Sequence, residues 1–214
     1  MTVYAAFWVR RGNPQTQVLK CVERGSALMS LGKLDEAIRQ FQEAIRLKPE
    51  CATAHNNLGV ALAKEGRTDE AIRQYQEAIR LKPDHAEAHN GLGVAFYQQG
   101  RTGEAIPQFL EVIRLEPEHA DARYNLGVAF YQQGRTDEAT RQFQEVIRLK
   151  PDHAEAHNNL GTVFGRKGQT EEAIRQFQEA LRFKPDYADA RRNLDLLLAA
   201  RANSPPSPGA ATNR

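Results

Sequence analysis

The sequence predicts an all-α fold: an α-solenoid of five 34-residue helix-turn-helix repeats with one further helix capping its carboxyl end. Three observations predict it. Prolines return every 34 residues, at Pro49, Pro83, Pro117, Pro151 and Pro185. The pairs Leu58-Gly59, Leu92-Gly93, Leu126-Gly127 and Leu160-Gly161 keep that step, as do Gly32, Gly66, Gly100, Gly134 and Gly168. Between these markers the apolar residues recur at helical spacing.

Residues 1–17 form a lead-in. Val3-Tyr4-Ala5-Ala6-Phe7-Trp8-Val9 followed by Arg10-Arg11 is an apolar patch with a basic edge, too short to span a bilayer. It reads as an apolar lid on the first repeat, as a weak surface anchor, or as the end of a membrane anchor. Asn13-Pro14 is a good cap and first-turn pair for the first helix. The repeats then occupy 18–51, 52–85, 86–119, 120–153 and 154–187.

Residues 52–85 illustrate the unit. Leu58, Ala61 and Leu62 recur at helical spacing, Gly66 breaks the pattern, and Ala71, Ile72, Tyr75, Ala78 and Ile79 resume it. Thr68 stands where an N-cap is wanted, with Asp69 and Glu70 near the positive end of the helix dipole. Pro83 ends the second helix. Asp84 with Glu87, and Asp152 with Glu155, have the spacing of a capping box for the helix that follows. Gly59, Gly93, Gly127 and Gly161 allow close backbone approach, as do Ala71, Ala105, Ala139 and Ala173, while Tyr75, Phe109, Phe143 and Phe177 fill wider gaps. One hairpin buries only one stripe of each helix, so stacking is needed to complete a core.

Two places depart from the pattern. Pro107 falls inside the second helix of the third unit, where the others have Arg39, Arg73, Arg141 and Arg175; that helix is expected to start late or to kink. Residues 188–201 begin a sixth first helix with Ala188, Arg191, Leu194 and Leu198 in register, and no second helix follows. Leu196-Leu197-Leu198 gives this cap more apolar surface than a solvated end needs. Residues 202–214, rich in Ser, Pro and Ala, read as a disordered tail.

Composition narrows the function. A net charge of +2 supplies no field to hold a polyanion, so nucleic acid is not an expected partner. No apolar run reaches the eighteen or so residues of a membrane helix. Cys21 and Cys51 are no disulfide framework and read as reduced; with no secretory signal in view, the expected compartment is cytoplasmic.

Chemistry is harder to find. His85 and His89, and again His153 and His157, have the four-residue spacing that can put two imidazoles on one helical face, as a metal site requires. Both pairs fall at the same phase of the repeat, and no carboxylate cluster completes a ligand set. Structural repetition is the simpler reading, so neither a metal nor a cofactor is expected. No phosphate loop, nucleophile motif or carboxylate pair in a cleft can be picked out, and the chain is not expected to be an enzyme.

The run His55, Leu58, Gly59, Leu62, Ala71, Tyr75, Ala78, Pro83 resembles the tetratricopeptide repeat family almost whole, five times over. His55, His89 and His157 stand where the family usually has an aromatic, and the first unit has Arg24-Gly25 for Leu-Gly. The resemblance implies a right-handed superhelix whose first helices line a concave, peptide-binding face. Asn57, Asn125, Asn159 and Asn193 occupy the sixth place of successive units, with Gly91, beside Asn90, as the gap and Glu23 in unit one. An amide both donates and accepts, so such a ladder can hold a peptide backbone without demanding particular side chains. The repeat region of O-linked N-acetylglucosamine transferase has a similar ladder. Val60, Val94 and Val128, Tyr97 and Tyr131, and the acids Glu87, Asp121 and Glu155 lie beside it; the acids can equally serve as helix caps. If they face the groove, the ligand is neutral or basic. The clamp by which chaperone-binding relatives hold a terminal carboxylate is missing, since Val22, Ser26, Asn57, Glu87 and Gly91 stand in its places. An acidic carboxy-terminal tail is therefore not the expected partner.

The leading expectation is a protein-interaction scaffold that binds a peptide segment of a partner. Two alternatives remain open: a homo-oligomer made by end-to-end stacking of terminal helices, and a regulatory repeat fragment of a larger membrane protein or glycosyltransferase.

Overall fold

A computed structural model describes residues 13–202. The lead-in patch at 3–11 and the tail from 203 lie outside the described residues. Every described element is helical: α1 (Pro14–Ser30), α2 (Leu34–Leu47), α3 (Ala52–Lys64), α4 (Thr68–Leu81), α5 (Ala86–Gln98), α6 (Thr102–Leu115), α7 (Ala120–Gln132), α8 (Thr136–Leu149), α9 (Ala154–Arg166), α10 (Thr170–Phe183) and α11 (Ala188–Ala202). The chain is all-α, and its consecutive helices pair as stacked hairpins of the solenoid kind.

Two compact units divide the helices, the first ending at His119 and the second starting at Ala120. In the first, α1–α2, α3–α4 and α5–α6 are hairpins, and α2 packs on α3 and α4 on α5. The first helices also touch one another, α1 against α3 and α3 against α5, so they make one wall. In the second unit α7–α8 and α9–α10 are hairpins, α8 packs on α9, α11 covers α10, and α7, α9 and α11 form the wall.

The hairpin turn explains the glycine period. Gly66 has φ +80°, the left-handed region that a side chain disfavours. Its N–H reaches the Ala63 carbonyl at 3.0 Å and the next N–H, of Arg67, reaches Leu62 at 2.9 Å, which satisfies two carbonyls that the end of α3 leaves open. Such a turn leaves no spare residue before the second helix. Arg67, not Thr68, is therefore the N-cap of α4: its carbonyl accepts from Ala71, and Thr68 is already helical. The first-turn acid Glu70 engages Arg67 at 2.7 Å.

The expected capping boxes shift in the same way. The caps of α5 and α9 are His85 and His153, one residue past Asp84 and Asp152. The turn after the proline absorbs the aspartate, and His153 Nδ1 accepts the Ala156 N–H at 3.2 Å. Asn13 does cap α1, accepting from Gln15 at 2.9 Å.

Phe41, Tyr75, Phe109, Phe143 and Phe177, each from a second helix, fill the space between helices and are almost fully buried. Burial of one such ring is worth about 2–3 kcal/mol. Each lies against a glycine of its own hairpin: a Cβ at Gly127 would stand 2.8 Å from the Phe143 ring, closer than real Cβ atoms come. Ala71, Ala105, Ala139 and Ala173 are fully buried where the second helices meet the wall.

Pro107 does not delay the start of its helix. α6 starts at Thr102, in step with its counterparts at Thr68, Thr136 and Thr170, so the start is not late. The helix continues through the proline. The ring crowds the carbonyl four residues back, and that residue is Gly103, around which the structure is open.

Candidate functional site

In the first unit the wall carries Asn57, Val60, Asn90, Gly91, Val94 and Tyr97, all half-buried, with Glu87 exposed. In the second it carries Asn125, Val128, Tyr131, Glu155, Asn159 and Asn193, half-buried, and Asp121, exposed.

The asparagines are held by their neighbours. Asn57 Oδ1 accepts from Asn56 Nδ2 at 3.2 Å, and Asn159 Oδ1 accepts from Asn158 Nδ2 at 3.3 Å. Asn159 Nδ2 donates to the Tyr124 hydroxyl at 3.0 Å, and Asn193 Nδ2 donates to Asn158 Oδ1 at 3.2 Å. A carboxamide offers two N–H groups and two lone pairs, so each of these asparagines keeps capacity for another partner. The residues at the preceding place, Asn56 and Asn158, are buried and hold the carboxamides of Asn57 and Asn159 through these bonds. Sequence reading overlooked this role, although the doubled Asn56-Asn57 and Asn158-Asn159 were visible. The Oδ1 atoms of Asn56 and Asn90 are buried without a hydrogen-bond partner.

Several groove candidates already have partners. Asp121 pairs with Lys150 at 2.8 Å and Glu155 with Lys184 at 3.1 Å, which offsets part of their negative charge. Glu87 lies 2.9 Å from His85 Nδ1. The Arg166 guanidinium sits over the Tyr131 ring, 4.3 Å from its centre.

The histidines are structural ties. His55, His89 and His157 are buried, and Nε2 of each meets the carbonyl of the proline six residues earlier, Pro49, Pro83 and Pro151, at 2.9, 3.0 and 2.9 Å. Each Nδ1 lies 2.8 Å from a second-helix glutamine, Gln74, Gln108 or Gln176. Arginine takes the same place in the fourth repeat and in the capping helix, while the first repeat has Cys21: Arg123 reaches Gln142, and Arg191 reaches the Pro185 carbonyl at 3.0 Å. Among the described residues no group of three or more His, Cys, Asp or Glu is placed to hold a metal ion. No described helix is long and apolar enough to cross a membrane.

The second helices carry a solvated ion-pair face. Arg80 pairs with Glu77 at 2.6 Å and Arg148 with Glu145 at 2.9 Å. Glu70 and Glu138 turn to Arg67 and Arg135 across the turn. The hydrogen bond from Arg80 holds the Glu77 carboxyl below the usual range.

Paired helices, a glycine turn and a ring against a glycine, repeated at 34 residues, define a tetratricopeptide-type protein, a fold of binding scaffolds that take protein or peptide partners. The profile of the Cilia and flagella-associated protein 70 C-terminal domain matches residues 9–212, and the chain belongs to that family. No curated protein matches it. Among solved structures it is similar to YrrB, described as a TPR protein with an unusual peptide-binding site, at 22% identity and TM-score 0.73, covering 89% of this chain and 96% of that one. It is also similar to MamA, at 27% identity and TM-score 0.71 over 77% of this chain and 96% of that one. MamA 41-end from Desulfovibrio magneticus RS-1 matches at 22% identity and TM-score 0.73, over 80% and 97%.

Proposed function

We propose that this protein is an interaction scaffold whose first helices hold an extended, neutral or basic segment of a partner protein. One observation carries the reading: Asn57, Asn125, Asn159 and Asn193 repeat on the walls of the two units, half-exposed and with hydrogen-bonding capacity to spare. A peptide backbone alternates donor and acceptor, and carboxamides answer both without reading side chains. Val60 and Val94 in the first unit, and Val128 in the second, give apolar surface beside the rungs. The acids at 87, 121 and 155 disfavour an acidic ligand, with Asp121 and Glu155 weakened in this by their lysines.

The test is affinity capture with the wild type beside an Asn57→Ala, Asn125→Ala, Asn159→Ala triple variant of equal helicity. Proteins retained by the wild type and lost by the variant are the expected result. An identical set on both removes the ladder from the binding face.

A further inference from the structure

Gly91 interrupts the asparagine ladder, and the residue that displaces the asparagine is Tyr75. At the ring position of the second helix the chain has Phe41, Phe109, Phe143 and Phe177, and the residue 16 places later is Asn57, Asn125, Asn159 or Asn193. Only Tyr75 differs, and only its partner, Gly91, differs with it. The geometry gives the reason. The Tyr75 ring, carried by α4, is wedged between α3 and α5: a Cβ at Gly59 would stand 2.8 Å from its Cε1. A Cβ at Gly91 would stand 2.6 Å from Cζ and 3.0 Å from the hydroxyl oxygen. The edge of the ring, with the hydroxyl beside it, therefore occupies the place where a rung would begin, and no side chain fits at 91 unless the ring shifts. That hydroxyl makes no hydrogen bond among the described residues, and it is not one of the enclosed polar atoms that lack a partner. Two atoms that are so enclosed, Oδ1 of Asn56 and of Asn90, lie on the helices flanking the ring.

We infer that the Tyr75 hydroxyl is itself a rung of the binding face, offering a hydrogen bond to a backbone carbonyl of an extended peptide where the other repeats offer an amide. A phenol has one proton and is held by a buried ring, so this rung is shorter and more rigid than an asparagine, and it sets the depth at which a ligand lies on the first unit. The inference rests on the groove reading above, and Asn57 in the same unit is its control.

Two measurements test it on the full chain. The first needs no ligand: Gly91→Asn lowers the melting temperature, and adding Tyr75→Phe recovers most of the loss; independent, additive effects overturn the steric pairing. The second uses displayed twelve-residue random peptides selected on the wild type, the strongest then synthesised with fluorescein and followed by anisotropy. Tyr75→Phe weakens that peptide about three- to tenfold, the worth of one neutral hydrogen bond. The Tyr75→Phe, Gly91→Asn chain, with an amide rung restored, recovers binding. If Asn57→Ala weakens the peptide and Tyr75→Phe does not, the hydroxyl rung is wrong and the ladder stands. If neither variant weakens it, or selection returns no peptide, the groove reading fails and this inference with it.

Discussion

Tyr75 is held between Gly59 and Gly91, and enclosure has a chemical consequence as well as a steric one. Burial pushes its hydroxyl up to about 12 from an ordinary value of 10, because the phenolate loses hydration there. The folded chain thus prefers the neutral phenol more than the unfolded chain does. The preference stabilises the fold fully below pH 10 and is lost as pH rises from 10 towards 12. Denaturant titrations of wild type and Tyr75→Phe across that range are expected to show a steeper alkaline loss for the wild type. Parallel curves would mean that the ring ionises without strain. The histidine ties show a similar economy at one position. Arg191 reaches the Pro185 carbonyl as His157 reaches that of Pro151, so the place selects a side chain able to donate to a proline carbonyl.

Among the helices, α6 is the one built against propensity. Pro107 removes a backbone donor and presses on the Gly103 carbonyl, and an acid stands where Gly103 does in each of the other four units. Pro107 is exposed, so its replacement disturbs no core. Pro107→Arg, the residue of every sister helix, is expected to raise the melting temperature by several degrees in scanning calorimetry. The ceiling is about 3 kcal/mol, at roughly 2–4 °C per kcal/mol for a chain of this size. An unchanged or lower value would show that Gly103 has already relieved the crowding. Helix positions were legible because proline and glycine act locally, on their own backbone and the next residue. Caps were read one residue out at α4, α5 and α9. A cap depends on which carbonyl first finds an amide, and the two-residue turn decides that through contacts with the preceding helix.

At the scale of the molecule, the last helix of the second unit leaves apolar surface exposed, and this bears on assembly. Leu196 of α11 is 64% exposed, and with Leu197 it borders a hollow of about 180 Å³ reaching to Gly161, Gly165 and Phe177. The hollow takes a side chain or two and is far too small for a docked helix. Light scattering is accordingly expected to return a constant monomer mass over a wide concentration range, for wild type and Leu196→Lys alike. A mass that climbs with concentration, and does so only with Leu196 present, would establish end-to-end stacking instead. By itself the sequence determined the helical class, the 34-residue period and the buried Ala and aromatic stripe. Each of these follows from periodicity and from the backbone limits of Gly and Pro, which act within a few positions. Only the tertiary structure decided that His55, His89 and His157 bind prolines and glutamines, that Asn56 and Asn158 hydrogen-bond the asparagines that follow them, and that the Tyr75 ring lies against Gly91. Those outcomes join residues from 6 to 35 positions apart, or turn on which of two adjacent amides faces inward, and stacking the hairpins is what brings such groups within bonding distance.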